Sequence, residues 1–579
     1  MATYRALPYG ISDFRRIRRE NYYLVDKSSF ITKLEETASF LFLIRPRRFG
    51  KSLFLSMLRY YYDIAEKDNF QELFKGLWIA EHPTWNQGRF QVMHIDFSQI
   101  GGTIDELTEN FDGYMRMKFT NFARKYAAYY PKDYLDELNK YSSASDIMNY
   151  VHDAAKDQGC PLYLIVDEYD NFTNTVLNEK GENIYHAMTH ASGFYRDVFK
   201  KFKGNYDRIL MMGVSPVTLD DLTSGYNIAT SITMDSRFNQ MLGFSETEVR
   251  EMIRYYQEAG VLQADEEQLI TEMKPWYDGY CFSDEVIYTD PKMFNCDMVT
   301  YYLNSFIQNG RAPKEMIDRN TSMDYAKLNN LIKLDQLDGD RKGVLLEIAE
   351  KGSITGKVAN SFPAAQLTDP EMFKSLLFYY GMLTFTDDYG IEQELGIPNN
   401  NVRKQYYEFL LREYQNLHPI DLSGLIRCYR EAALNGNWHP MMDYILQAYH
   451  DTTSVRSLIE GERNLQGFMN AYLNLNTYYL TAPEVELNHG YCDFFLMPDL
   501  IRWPMVKHSY ILELKYLSIS DTEEKAEKQW AEAIKQIKQY GQGKKVQLLT
   551  SGTQLHLIVA QIQGYEKKRV EEISLPVNF

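Results

Sequence analysis

The sequence is poor in cysteine and has no long apolar run. It holds 5 cysteines in 579 residues, and none of them stand in the close pairs that bind zinc. We therefore expect reduced thiols, no zinc site and a cytoplasmic protein. No apolar run approaches the roughly 18 residues of a membrane helix, and no apolar signal segment precedes the first motif. We accordingly predict no membrane association.

Basic charge is also in deficit. Lys and Arg number 62 against 79 Asp and Glu, which gives a net charge of −17. This balance argues against nonspecific binding of polyanions by the chain as a whole, although it leaves local basic patches open. Hydrophobic residues make up 45% of the chain, so we expect packed domains rather than disorder. The length predicts two to four of them.

The most informative motif is the run Arg45–Ser52, with the sequence RPRRFGKS. A strand-like stretch, Phe40–Ile44, precedes it, and a helical pattern, Leu53–Leu58, follows it. This order is typical of a phosphate-binding P-loop, because the unpaired N–H groups of a helix N-terminus attract anions. Lys51 would contact the β- and γ-phosphates, and Ser52 would hold Mg²⁺. The alternative is a basic turn before a surface helix.

A second run ends in two acids. The apolar stretch Leu162–Val166 leads into Asp167 and Glu168, the form of a Walker B strand. Asp167 would bind Mg²⁺ beside Ser52, and Glu168 would deprotonate the attacking water. A strand that ends in acids at a surface loop is the alternative.

Two further strands are predicted, Phe90–Phe97 and Arg208–Val214, with helical patterns at Glu106–Tyr126 and Asn183–Lys203. The alternation predicts an α/β fold in which helices surround a parallel sheet, with the site at the carboxyl ends of the strands. Ser215, after the last strand, either senses the γ-phosphate or marks an ordinary strand exit. Residues 246–280 predict a helical lid with a turn at Gly279.

Several segments together resemble the prokaryotic AAA-ATPase-like family, a branch of the STAND-type P-loop NTPases. They are Leu7–Phe14, Tyr23–Lys27, Arg45–Leu53, Gly213–Pro216, Gly243–Ser245 and Trp276–Tyr280. The resemblance covers roughly the first half of the chain and implies ATP as the nucleotide. It also implies that Arg45, which replaces the usual first glycine of the loop, is a family trait. The residues predicted to bind nucleotide are Arg45, Arg47, Arg48, Gly50, Lys51, Ser52, Asp167, Ser215 and Arg237.

Arg237 has two interpretations. It could act as an arginine finger or sensor, in its own subunit or in a neighbouring one, and such a role would require copies of the chain to assemble. More ordinarily, an arginine in this setting forms a structural ion pair.

The middle of the chain, residues 291–450, predicts helices. One helix, Glu371–Tyr380, is followed by a hairpin pattern over Gly381–Asn399, which is the outline of a winged helix. Such elements bind DNA or serve as spacers between domains. No arginine-rich recognition helix is visible, so we favour the spacer.

A second constellation lies near the C-terminus, in strands predicted at Tyr491–Leu496 and Ser509–Lys515. Side chains alternate along a strand, so Glu513 and Lys515 share one face. With Asp493 on a neighbouring strand, they resemble the core of a PD-(D/E)XK nuclease; the alternative is a Glu-x-Lys pair that occurs on a strand by chance. Two carboxylates would hold Mg²⁺, and Lys515 would position or activate a water.

The helix predicted at Glu523–Tyr540 places Gln536 and Tyr540 four residues apart on one face. This resembles the QxxxY element of one nuclease subgroup, and nuclease-fused members of the same ATPase family have a similar arrangement. Many relatives have Gly-Arg before the Asp, whereas this chain has Gly490-Tyr491-Cys492. From residue 451 onward 14 basic and 16 acidic residues give a balance of −2, so nearly all negative charge lies upstream.

These observations predict three domains: an ATPase domain with a helical lid at 1–290, a helical and winged-helix-like linker at 291–450, and an α/β nuclease-like domain at 451–579. We expect an ATPase that gates a Mg²⁺-dependent nuclease acting on DNA rather than RNA. One rival is a nucleotide switch that binds nucleic acid or protein without cutting, and another is a scaffold with degenerate sites. The predicted catalytic residues are Glu168, Asp493, Glu513, Lys515, Gln536 and Tyr540.

Overall fold

The computed structural model describes residues 4–101, 106–171, 194–216, 229–318, 341–363, 366, 369–417, 421–451, 462–487, 490–500 and 502–575. The chain divides into two compact units. The first comprises Met1–Arg341 and Thr355–Asn400, and the second comprises Lys342–Ile354 and Asn401–Phe579. The division into three domains stays a prediction. In the ranges described, no helix is long and apolar enough to cross a membrane.

The first unit is built on a five-stranded sheet. Its strands are β1 (Phe40–Ile44), β2 (Gln91–Asp96), β3 (Leu162–Asp167), β4 (Arg208–Gly213) and β5 (Thr230–Ser231). The order is β2-β3-β4-β1-β5, and every neighbouring pair is parallel. The strands are largely buried, as expected where helices cover both faces of a parallel sheet. The predicted α/β fold with a parallel sheet is therefore confirmed.

Thirteen α-helices of the first unit lie in the described ranges: Phe14–Arg19, Phe30–Thr37, Lys51–Tyr62, Phe70–Phe74, Trp78–Glu81, Leu107–Tyr126, Tyr134–Leu138, Ala144–Asp157, Phe194–Asn205, Glu246–Glu258, Glu266–Tyr277, Cys296–Asn309 and Pro370–Tyr379. The helix expected at 106–126 is present. Of the helix expected at 183–203, the part from 194 is present, and residues 183–193 lie outside the described residues.

The predicted lid region forms two helices, Glu246–Glu258 and Glu266–Tyr277. The first begins with a capping box, in which Ser245 and Glu248 satisfy each other's backbone N–H groups. Both helices share an apolar core with the helix Cys296–Asn309. The helical prediction is confirmed, whereas closure of this region over nucleotide stays a prediction.

The helix and hairpin outline in the middle of the chain is also present. The helix Pro370–Tyr379 leads into the antiparallel strands β7 (Thr384–Asp388) and β8 (Gln393–Gly396). This element belongs to the first unit. Thr384 Oγ1 accepts a hydrogen bond from the Cys281 N–H at 2.7 Å and donates one to the Cys281 carbonyl at 3.1 Å.

The hairpin tip is acidic, with Asp387, Asp388, Glu392 and Glu394 on or beside its two strands. Such a tip repels phosphate, so its charge supports the spacer interpretation over DNA binding. β6 (Ser353–Gly356) lies where the chain passes between the two units.

The second unit contains a mixed five-stranded sheet. Its strands are β9 (Tyr479–Leu487), β10 (Gly490–Pro498), β11 (His508–Leu517), β12 (Gln554–Gln563) and β13 (Glu566–Glu572), in the order β13-β12-β11-β10-β9. Only the β11–β12 pair is parallel among these described pairings. The accompanying helices are Arg341–Lys351, Asn400–Leu417, Leu422–Asn435, His439–Asp451, Glu462–Leu473, Glu523–Gly541 and Lys544–Leu549.

Helices cover both faces of this second sheet. Leu512 and Leu514 pack in a core with the helices between 422 and 473. Ile511, on the opposite face, packs against Trp530 and Ile537 of the helix Glu523–Gly541. The predicted alternation of side chains along β11 is therefore present.

Gly279 offers a direct test of the packing beside the lid. Its φ is +102°, and a Cβ there would lie 2.1 Å from the Pro398 carbonyl oxygen. Gly279→Ala should therefore lower the free energy of unfolding by about 2 kcal/mol or more. Calorimetric unfolding would measure the loss. Gly204→Ala is the control, because no atom lies within 4 Å of its added methyl; equal melting temperatures of the two variants would contradict the prediction.

Candidate active sites

The loop between β1 and the helix Lys51–Tyr62 encloses a buried lysine. Gly50 adopts φ +87° at the helix N-cap, and Arg48 adopts φ +67°. These conformations turn the loop back over Lys51, whose Nζ donates to the carbonyls of Arg45 at 2.9 Å and Pro46 at 2.8 Å. Burial lowers the pKa of Lys51 to about 8. A bound anion would offset this desolvation.

The acids predicted on β3 lie near this lysine. Asp167 is 4% exposed, and burial raises its pKa, which a hydrogen bond from the Ser52 hydroxyl lowers in part. Burial followed by the charge of Asp170 raises the pKa of Glu168. The Ser52 hydroxyl and the Asp167 carboxylate are neighbouring oxygen donors, which fit a Mg²⁺ ion.

The cleft at this place has a volume of about 420 Å³. Among its lining residues are Arg47, Arg48, Lys51, Ser52 and Glu168. The fold therefore brings together the loop cations and the acid that sequence predicted for hydrolysis. The helix Cys296–Asn309 adds a carboxylate to the wall, because Asp297 lies 3.6 Å from the Arg48 guanidinium.

Arg45 lies differently from the expectation. It is 1% exposed, and its guanidinium donates to the carbonyls of Ile44 at 2.9 Å, Thr233 at 2.6 Å and Phe238 at 3.0 Å. The same group stacks 4.2 Å from the centre of the Phe282 ring. Burial lowers its pKa to about 9. This geometry gives Arg45 a structural role and argues against a contact with nucleotide.

Ser215 is positioned by residues that the sequence analysis did not single out. The buried Asp170 carboxylate accepts from the N–H groups of Val214 at 3.2 Å and Ser215 at 2.7 Å. The Tyr169 hydroxyl donates to the Ser215 carbonyl at 2.7 Å. Ser215 also hydrogen-bonds Tyr380, at the end of the helix that precedes the hairpin. The acid three residues after Asp167 was the available signal for this arrangement.

Arg237 lies outside the residues that line the described cleft. Its guanidinium pairs with Asp235, 2.5 Å away, and its side chain is 52% exposed. This matches the ion-pair interpretation within one chain. A role in the site of a neighbouring subunit stays a prediction.

A second, apolar cavity of about 90 Å³ adjoins the phosphate cleft. The two share Pro8, Gly50, Leu53, Phe244, Cys296 and Thr300. Further walls come from Leu24 and Val25 before the sheet, from Met241 after β5 and from Met252 of the lid. A cleft lined by cationic side chains thus continues into an apolar cavity.

The acids of the second unit gather where β10 and β11 meet. Asp493 Oδ2 accepts from the Leu514 N–H at 2.6 Å, and its Oδ1 accepts from Gln466 Nε2 at 2.9 Å. Glu513 is 3% exposed and pairs with Lys515 through a distance of 2.7 Å between Oε1 and Nζ. Gln466 was missed by the sequence analysis, because its contact joins a helix to a distant strand.

Tyr540 lies close to these acids, whereas Gln536 is exposed on the same helix. Burial, followed by the nearby charges of Glu513 and Asp493, raises the pKa of Tyr540 to about 12. Among the described residues no group of three or more His, Cys, Asp or Glu side chains suits a metal ion. Asp493 and Glu513 are oxygen donors of the kind that a hard cation prefers.

Comparison with known proteins finds one family match in each unit. Residues 8–223 match the model of the AAA-ATPase-like family, described as a predicted AAA-ATPase. Residues 460–572 match a model of the PD-(D/E)XK nuclease superfamily. The chain therefore contains an AAA-ATPase-like domain and a C-terminal PD-(D/E)XK nuclease superfamily domain, as the resemblance of its motifs implied.

Two individual proteins are also similar to parts of the chain. An uncharacterized protein from the vnfD 5' region of Azotobacter chroococcum mcd 1 is 28% identical over 287 residues, which are 49% of this chain and 50% of that protein. The chain thus matches about half of the length of this curated relative. The ORC2 protein of Aeropyrum pernix, solved in ADPNP-ADP complexes, aligns over 69% of this chain and 98% of its own. Its identity of 10% and TM-score of 0.31 support no further conclusion.

Arg45→Lys distinguishes a structural role from a contact with nucleotide. Lysine keeps a charge, but its compact ammonium cannot reproduce the spread, planar donors of the guanidinium that reach three carbonyls while stacking on Phe282. We expect the nucleotide-free protein to lose about 2 kcal/mol or more of its free energy of unfolding. Calorimetric unfolding without nucleotide would measure this. Arg47→Lys, in the same loop but on the cleft, is the control and should leave that stability nearly unchanged; a weaker ATP affinity in Arg45→Lys at full stability would refute the structural role.

Proposed function

We propose that the first unit binds and hydrolyses ATP and that its nucleotide state controls a Mg²⁺-dependent nuclease in the second unit. The observation that carries the first half is the grouping of Lys51, Ser52 and Glu168 on one cleft, with Asp167 hydrogen-bonded to Ser52 behind it. The matched AAA-ATPase-like model supports the same activity. The nuclease half is supported by Asp493, Glu513 and Lys515 and by the matched nuclease model.

In the ATPase site, Lys51 exchanges the two loop carbonyls for phosphate oxygens, which removes the cost of its burial. Ser52 and Asp167 would hold Mg²⁺, which would neutralise part of the phosphate charge. Glu168 accepts a proton from the attacking water, and its raised pKa makes it a better base than an exposed carboxylate. The adjoining apolar cavity receives part of the nucleobase. Ser215 senses the γ-phosphate.

In the nuclease site, Asp493 and Glu513 would hold the cation. The cation would lower the pKa of a bound water and stabilise negative charge on the phosphodiester. Lys515 is held by Glu513 at 2.7 Å, so its ammonium stays beside the carboxylates where it can orient a water. Tyr540 and Gln536 support this group from the helix Glu523–Gly541. We expect DNA rather than RNA as the substrate.

Control of the nuclease by ATP completes the proposal. A STAND-type mechanism would couple lid closure and assembly of copies of the chain to cleavage, with Arg237 completing a neighbouring ATPase site. The alternative is a nucleotide switch whose C-terminal domain binds without cutting. One observation favours that alternative: both carboxylate oxygens of Asp493 already accept hydrogen bonds from protein groups.

Two variants separate ATP binding from hydrolysis. Lys51→Ala removes the buried ammonium and should abolish ATP binding, whereas Glu168→Gln should bind ATP and lose hydrolysis, because an amide cannot take the proton. Calorimetry measures the affinity and phosphate release measures the rate. Lys140→Ala, at an exposed ion pair with Glu137, is the matched control. An ATP affinity of Lys51→Ala equal to that of the parent would contradict the assignment of this cleft as the ATP site.

The nuclease is tested by removing one carboxylate. Asp493→Ala or Glu513→Ala should lower cleavage of labelled DNA by about 100-fold or more, because each removes a metal ligand from a preorganised site. ATP hydrolysis should survive, since its residues belong to the other unit. Glu524→Ala, at an exposed position of the same unit, is the control. A parent that cuts no nucleic acid in any nucleotide state would favour the non-cutting switch.

A further inference from the structure

The helix that carries Tyr540 changes its charge along its length. Its acids, Glu523, Glu524, Glu527 and Glu532, all lie in the first ten residues. Two of them are engaged, because Glu523 pairs with Lys568 at 2.6 Å and Glu527 pairs with Arg569 at 3.0 Å. The C-terminal half of the helix, from residue 533 to 541, therefore contains no acidic residue.

No acid follows for a long stretch. Residues 533–565 contain no Asp or Glu, in a chain where 79 of 579 residues are acidic. The same 33 residues contain Lys535, Lys538, Lys544 and Lys545. In a protein of net charge −17, this segment is a local reversal of sign. Such a reversal attracts polyanions even when the whole chain repels them.

The four lysines, here named the lysine surface, are open to solvent. Lys535, Lys544 and Lys545 are exposed, and Lys538 is half-buried. Within the part of the chain that the structure describes, no hydrogen bond or ion pair engages these four ammonium groups. Lys525, earlier on the same helix, differs because it pairs with Asp521 at 2.8 Å. The lysine surface thus keeps its full charge for a partner.

The packing of the helix fixes where this charge lies. Ala526, Trp530, Ala533, Ile537 and Tyr540 form its buried stripe against the sheet. Tyr540 is the last of them, and the charges of Glu513 and Asp493 act on its hydroxyl. The C-terminal end of the helix therefore lies near the carboxylates, and the lysines lie on the solvent side of this end. Lys544 and Lys545 follow within five residues of Tyr540.

We propose that the lysine surface binds the phosphodiester backbone of nucleic acid and holds a strand beside Asp493, Glu513 and Lys515. The inference rests on the proposed nuclease function, for which it supplies the substrate grip. Lysines bind phosphate as point charges and do not read sequence. The surface therefore sets affinity and its dependence on salt, and leaves sequence preference to other residues.

Salt dependence gives the test. The slope of log affinity against log salt concentration falls by about 0.9 for each duplex phosphate that the protein no longer neutralises. Lys535→Gln/Lys538→Gln should therefore lower the slope by about 1.8 and weaken binding at every salt concentration. Lys544→Gln/Lys545→Gln should act in the same direction. The measurement is fluorescence anisotropy of a short labelled duplex with the full chain, in EDTA so that cleavage does not interfere.

The control, Lys525→Gln/Lys567→Gln, removes the same charge from two lysines that are paired with Asp521 and Asp443. It should leave the slope unchanged, and melting temperatures should show that all variants fold. A slope equal to that of the parent in both lysine-surface variants would overturn the proposal. So would lysine-dependent binding of anionic vesicles by a protein that does not bind DNA.

The outcomes separate the two proposals. A parent that cuts DNA, with lysine-surface variants that bind it normally, would refute this surface and leave the nuclease standing. A parent that binds through the lysine surface but never cuts would support the surface and refute the nuclease. A parent that binds no nucleic acid would refute both.

Discussion

The first unit depends on burying two cations in one short loop. Arg45 and Lys51 are 1% and 7% exposed, and the hydrogen bonds of their charged groups described above all go to backbone carbonyls. Burying a charge without a full counter-charge costs free energy, and the carbonyl dipoles offset only part of it. The guanidinium of Arg45 is held in a fixed place, because the three carbonyls that accept its hydrogen bonds belong to β1 and to the segment after β5. The ammonium of Lys51 donates instead to carbonyls of the loop itself, which a phosphate could replace.

This difference explains how the loop can keep a fixed backbone and still bind a phosphate. Arg45 fastens the start of the loop to Thr233 and Phe238, so the backbone around Lys51 is preorganised. Burial lowers the pKa of Lys51 to about 8, and the charge of Asp167 offsets this only in part. A phosphate would supply the remaining compensation. An arginine can therefore replace the usual glycine here. The hydrogen bonds of its side chain fix the start of the loop, as a tight glycine turn would otherwise do.

The sequence predicted what depends on local order and missed what depends on distant contacts. The P-loop, the acids after β3 and the alternation along β11 were predictable, because strand period and helix start signals are local. The role of Arg45 was not, since the carbonyls of Thr233 and Phe238 lie far along the chain, at sequence separations of 188 and 193. Gln466 was missed for the same reason, as it contacts Asp493 across 27 positions.

Control of a nuclease by ATP requires an element that contacts the loop and continues into the second unit. The helix and hairpin at 370–396 meet both conditions. A Cβ at Gly381 would lie 2.8 Å from Pro46, so the turn before β7 packs directly on the P-loop. Four residues after β8 the chain enters the helix Asn400–Leu417, which belongs to the second unit from Asn401 onward. The acidic tip of this hairpin suits a coupling element better than a DNA-binding wing, because the positive charge suited to phosphate lies instead on the lysine surface.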